Sequence, residues 1–175
     1  MALSNEFEPL DATQHDIKKF RCGKPTMDEF LHRYAAKNAK LGLSKTWALA
    51  DRQPETDKAA IAAYYTLSLL SIAPEQLNNG NGLPRYPAPT TLLARLAVAS
   101  SYQGKGLGTA SLLAALMQAV KASDNGLPTY AVVLDVLDES AMAFYQQFAF
   151  FKPLDASGKR LFVPMAVLKK QFDVA

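Results

Sequence analysis

Apolar and polar positions along the chain fall into two periods, near two and near 3.6 residues, and the switches between them lay out the elements. Phe7 to Leu10 reads as a short opening strand, and Thr13 to Phe20 as a short helix. Thr26 and Glu29 have the spacing of a capping box and open a helix expected from Thr26 to about Leu41. Strands are expected around Trp47 to Ala50 and over Ile61 to Leu70, with the polar turn Gln53-Pro54-Glu55 between them. Pro74 to Pro89 holds four prolines and the run Asn78-Asn79-Gly80-Asn81-Gly82, which specifies a loop. An apolar strand, Thr91 to Val98, then enters a glycine-rich turn that opens a long apolar helix near Gly106. Tyr130 to Leu137 reads as a mostly buried strand. Behind it Asp138 is a good N-cap, and Glu139 complements the dipole of the helix that follows. Ala141, Phe144, Tyr145 and Phe148 fall on one face of that helix. Leu161 to Leu168 closes the chain as a strand, with Pro164 implying an edge or a bulge. There are no internal repeats, and the order is mixed α and β.

Composition narrows the class. At 175 residues and 49% hydrophobic, the chain can bury a full core as one domain over residues 1–175. No apolar run reaches a membrane span, and the opening Met1 to Glu8 is acidic rather than signal-like, so a cytoplasmic protein is expected. The single Cys22 excludes a disulfide framework and reads as an inert thiol; with only His15 and His32 beside it, no metal site is expected. The net charge of +3 is a mild basic bias. Its distribution says more. Lys24, Arg33, Lys37, Lys40, Lys45 and Arg52 stand against Asp28, Glu29 and Asp51, with Arg33, Lys37 and Lys40 about one turn apart on the expected helix. Such a stripe is either a solvated face or a surface for a phosphate backbone.

The chemistry concentrates in Leu96 to Gly108. Gly104, Gly106 and Gly108 at alternate positions let the backbone approach a bulky anion without Cβ atoms in the way. The N–H groups of the next helix's first turn have no intrahelical partners and carry the positive end of its dipole. Together they form a phosphate cradle, with Lys105 as a mobile charge at its rim. The turn is not a P-loop, since no Gly-Lys-Ser/Thr stands at the required spacing, and it lacks the spacing and acidic partner of a dinucleotide fingerprint.

Gln103-Gly104-Lys105-Gly106-Leu107-Gly108 resembles the Gln/Arg-x-x-Gly-x-Gly/Ala signature of GNAT N-acetyltransferases. A second match, Asp138 to Phe150, resembles that family's Asn-x-x-Ala-x-x-x-Tyr-x-x-x-Gly-Phe segment, with Asp138 for Asn and Ala149 for Gly. The resemblance implies a single α+β domain whose central, mainly antiparallel twisted sheet is flanked by helices. It implies acetyl-CoA as co-substrate, its pyrophosphate on Gln103 to Gly108 and its pantetheine arm along Leu96, Ala97 and Val98, with Asp138 counted in the cofactor site. It further implies that Tyr145 protonates the leaving thiolate, a task suited to a phenol that stays protonated at neutral pH. Packing as a core aromatic is the other reading of Tyr145.

Phe20 to Leu31, Lys37-Asn38, Ser44 to Trp47, Tyr64 to Ser68 and Leu93 to Val98 are similar to the GNAT toxins of bacterial toxin–antitoxin pairs, with Ala99 where that group carries Asp. That similarity implies acetylation of the α-amine on aminoacyl-tRNA and a ribbon-helix-helix antitoxin as partner; the sequence leaves a homodimer open. Arg33, Lys37, Lys40, Lys45 and Arg95 are then the candidates for contact with substrate, although Arg95 reads equally as a buried ion-pair partner.

Thr91 to Ala99 contains no carboxylate or histidine to act as base. A lysine acceptor with a pKa near 10.4 would need one, whereas an α-amine near 7.7–8.0 is partly neutral already. Asp135, reached through water, is a candidate base elsewhere. Two alternatives stay open: a housekeeping GNAT acting on a small-molecule amine or a protein amino terminus, and a non-catalytic regulator that binds acetyl-CoA or a partner.

Overall fold

The computed structural model describes residues 2–77 and 83–172; the expected turn at Asn78 to Gly82 lies outside them. Two compact units emerge, one of Met1–Ser68 with Ala94–Ala115, the other of Leu69–Leu93 with Leu116–Ala175.

The first unit is built on β3 (Lys45–Arg52). The short strands β1 (Ala2–Leu3) and β2 (Glu8–Pro9) both pair antiparallel with it, Ala2 opposite Arg52 and Glu8 opposite Ala48. On its other side β4 (Ala60–Ile72) runs antiparallel from Lys45/Leu67 to Asp51/Ala60, with a register shift between Leu49 and Ala50. The first residues of β4 are buried almost without interruption, as a strand covered on both faces requires. Phe20, Phe30, Leu31, Ala48, Tyr64 and Ala97 form one core cluster here, and the Tyr64 hydroxyl donates to the Met27 carbonyl at 2.7 Å.

β5 (Ala88–Val98) contributes to both units; in the second, its residues up to Leu93 lie parallel to β6 (Ala131–Asp135), Thr90 opposite Ala131. β6 pairs antiparallel with β8 (Arg160–Pro164), and β8 with β7 (Lys152–Pro153). The sheet is therefore mixed and mainly antiparallel, the expected α+β class, with helices on it. α3 (Leu107–Asp124) follows β5, α4 (Glu139–Tyr145) follows β6, and α5 (Met165–Gln171) follows β8.

Four expectations change. Thr13 to Phe20 holds only a 3-10 turn, Ile17–Lys19, because part of its backbone is spent on Ala59, just ahead of β4: His15 bridges Ala59, and Asp16 N–H donates to the Ala59 carbonyl at 2.8 Å. The expected capping box is absent; Lys24 is the N-cap, Pro25 takes the first helical position, and Thr26 lies inside the helix. The helical run then passes through α1 (Pro25–Glu29), a π turn (Phe30–Tyr34) and α2 (Ala35–Leu41), ending on Gly42 in the left-handed region at φ 75°. Finally, Leu161 to Leu168 divides into β8 and α5. Pro164 closes a strand flanked on both sides rather than an edge, where its missing N–H costs nothing because it serves as N-cap of α5.

Candidate functional site

The glycine turn is held by fastenings from three directions within the first unit. Ala99 N–H donates to the Ala62 carbonyl at 2.8 Å, the last rung before the chain leaves β5. Ser100–Tyr102 then make a 3-10 turn whose first N–H bonds the Arg21 carbonyl at 2.8 Å. The Gln103 amide donates to both the Cys22 and Val98 carbonyls at 2.9 Å, so its side chain locks the turn to the segment ahead of α1. The Tyr102 hydroxyl donates to the carboxylate of Asp51, a buried residue on β3. The Lys105 ammonium stands 5.7 Å from the centre of the Tyr102 ring. Neither the Cys22 carbonyl nor the Tyr102–Asp51 pair carries a signal in the sequence, since each joins segments far apart along the chain.

Gly104 and Gly106 take φ of 79° and 80°, where an L side chain is strained, and a Cβ on either would meet no atom within 4 Å. The turn thus has an open face. Leu107 begins the 18-residue α3 and Gly108 sits in its first turn, whose N–H groups have no intrahelical acceptor. An open, glycine-lined turn at a long helix N-terminus fits a pyrophosphate. On the approach, Ala97 is buried while Leu96 and Val98 are half-buried. β5 carries no Asp, Glu or His along its length, as expected. The Arg95 guanidinium carbon lies 4.6 Å from the Phe30 ring centre, and one nitrogen donates to the Ala94 carbonyl at 2.8 Å.

The basic run also belongs to the first unit. Arg33, 71% exposed, lies in the π turn 3.5 Å from Glu29, and Lys37 and Lys40 stand exposed on α2. Exposed Lys45 reaches over Trp47 at 5.3 Å. Lys40 and Lys45 border an open groove of 720 Å³ floored by Leu10, Ala35 and Ala39. Cys22 is buried, and burial pushes its thiol up to about 11, which keeps it protonated and inert.

The second unit holds Tyr145 and Asp138. The Asp138 carboxylate accepts the Ala141 N–H and the Ser140 hydroxyl, both at 2.8 Å, and so caps α4. Tyr145 ends that helix, 8% exposed, its ring edge-on to Phe144 at 5.1 Å and to Phe151 at 5.9 Å. Burial raises the phenol above its ordinary value, so it stays a proton donor throughout the neutral range. Asp135 is engaged elsewhere, paired with Arg160 through contacts of 2.6 and 2.9 Å. No group of three or more His, Cys, Asp or Glu positioned for a metal occurs among the described residues.

The family described as Acetyltransferase (GNAT) matches residues 48–150. A tRNA-acetylating toxin of Mycobacterium tuberculosis is 30% identical over 139 residues, 77% of this chain and 78% of that protein. The crystal structure of a Tyr-to-Phe variant of KacT superposes with a TM-score of 0.84 at 25% identity, covering 98% of this chain and all of that one (100%). AtaTR bound with acetyl-CoA gives a TM-score of 0.82 at 25% identity, covering 98% of each chain.

Proposed function

The chain belongs to the GNAT acetyltransferase family, and we propose that it is a toxin that moves the acetyl group of acetyl-CoA to the α-amine of the amino acid carried on charged tRNA. The observation that carries this reading is the strand–turn–helix unit of β5 and α3, with Gly104 and Gly106 left-handed and open. Similarity to a tRNA-acetylating toxin over 77% of the chain supports the choice of acceptor.

In this reading the single acetyltransferase domain spans residues 1–175. Gln103 fixes the turn, Gly104 to Gly108 and Lys105 hold the pyrophosphate, and the backbone of Leu96 to Val98 takes the pantetheine arm. Acetyl-CoA, when bound, supplies the thioester carbon that the amine attacks. Tyr145 gives its proton to the departing thiolate, and Asp138 holds the helix that presents it. With no base on β5, an acceptor that is partly neutral at pH 7 is favoured, as an α-amine is. Arg33, Lys37, Lys40 and Lys45 face the tRNA phosphates and Arg95 faces the acceptor side. The partner is a small ribbon-helix-helix antitoxin, and the place of action is the cytoplasm, where charged tRNA is found.

The test is transfer of labelled acetyl from acetyl-CoA to purified aminoacyl-tRNA, with the label located on the α-amine. Label on a free polyamine or a protein amino terminus instead would replace the substrate and keep the enzyme. Tight acetyl-CoA binding with no turnover on any amine would mark a regulator.

A further inference from the structure

Tyr102, just ahead of the glycine turn, is anchored on β3. Its hydroxyl donates to Asp51, which is 2% exposed and also accepts the Gln53 amide at 3.0 Å. A buried carboxylate needs such donors, and a hydrogen bond to a charged group is stronger than one between neutral partners. The Tyr102 ring packs against the apolar residues beneath the turn, and the Lys105 ammonium lies over it. The Tyr102 N–H closes the 3-10 turn on the Ala99 carbonyl at 2.9 Å. One side chain therefore ties the last residue before Gln103 to β3, and sets the place of the cation at the rim.

We infer that Tyr102 is a positioning residue for acetyl-CoA: its bond to Asp51 holds the glycine turn in pyrophosphate-binding shape before the co-substrate arrives. This rests on the turn being the pyrophosphate site. Gly104 and Gly106 give the turn more backbone freedom than any other residue type would, so a tether immediately ahead of them removes entropy that binding would otherwise lose. Lys105 benefits twice, because its backbone is in the turn and its side chain rests on the tethered ring.

The experiment measures dissociation constants by calorimetry with two probes, acetyl-CoA and S-acetylpantetheine, which lacks the pyrophosphate. Tyr102→Phe keeps the ring and loses the tether. Its affinity for acetyl-CoA is expected to fall about tenfold, because the untethered turn must then be ordered on binding, with affinity for S-acetylpantetheine unchanged. Gln53→Ala removes another donor to Asp51, one outside the turn, and is expected to leave both affinities within about twofold. Asp51→Asn keeps an acceptor oxygen for Tyr102 and is expected to lose less than Tyr102→Phe; it reads the same bond if that variant does not fold. Equal acetyl-CoA affinity in wild type and Tyr102→Phe overturns the inference while the pyrophosphate site stands. Parallel losses for both probes, or an equal loss in Gln53→Ala, also overturn it, since either marks general destabilisation. Absence of acetyl-CoA binding to the wild type overturns the site reading itself.

Discussion

At the scale of single residues, the electrostatics of Tyr145 and the geometry of Gly106 give separable outcomes. Tyr145→Phe preserves the ring that packs between Phe144 and Phe151 and removes only the proton. Turnover is expected to fall by roughly 10²–10⁴ with acetyl-CoA affinity unchanged, as for a lost general acid. The pH profile follows from the direction of the shift. Burial holds the phenol above its ordinary pKa near 10, so the donor is intact below that pH and is lost only above it. The rate should therefore rise through about pH 7–8 as the α-amine deprotonates, and show no falling limb below about pH 10. Gly106→Glu acts on the other unit. It puts a strained, negatively charged side chain on the open face of the turn, and calorimetry is expected to show acetyl-CoA binding abolished.

Secondary-structure elements reveal where local sequence rules were sufficient. The Asp138 cap is formed as its sequence position implies, because an N-cap needs nothing beyond three neighbouring residues. Asp138→Ala should cost about 1 kcal/mol in a denaturant titration, with Tyr145 losing the frame that presents it. β3 to β6 and the turn into α3 were legible for the same reason, since periodicity and glycine spacing are local signals. Thr26 and Glu29 misled because Pro25 is a better first helical residue than Thr26 is a cap, and because Asp28, between them, is drawn away to the Cys22 N–H at 2.9 Å. Thr13 to Phe20 misled because the Gln14 carbonyl and the Asp16 N–H are both bonded to Ala59, a residue more than forty positions away. The fastenings of the glycine turn on Cys22, Arg21 and Asp51 are equally non-local, and no periodicity announces them.

For the molecule as a whole, tRNA recognition makes the most exposed claim. If Lys37 and Lys40 meet phosphates, the affinity for aminoacyl-tRNA should fall steeply as salt is added, through counterion release. Reversing both charges should weaken tRNA binding across sequences and flatten the salt slope, while acetyl-CoA binding is spared. Expression without an antitoxin should arrest growth, and Tyr145→Phe should lift the arrest. A housekeeping enzyme would instead leave cells healthy and its kinetics indifferent to salt.

The π turn at Phe30–Tyr34 has a bearing on how this helix tolerates changes of length. A wide turn of this kind is an ordinary helix that has taken in one surplus residue, and the flanking turns keep their facing. Tyr34, 45% exposed and uncharged, is available as that surplus. Deleting it should let the run relax to a plain α-helix with Phe30, Leu31 and Ala35 still inward and the basic side chains still outward. Deleting Asn38, in the regular part, should instead turn Lys40 by about 100° and throw it off its face. Far-ultraviolet circular dichroism and tRNA affinity on the two deletions would read the difference, and the helix would be shown to carry one residue of slack in front of its charged end.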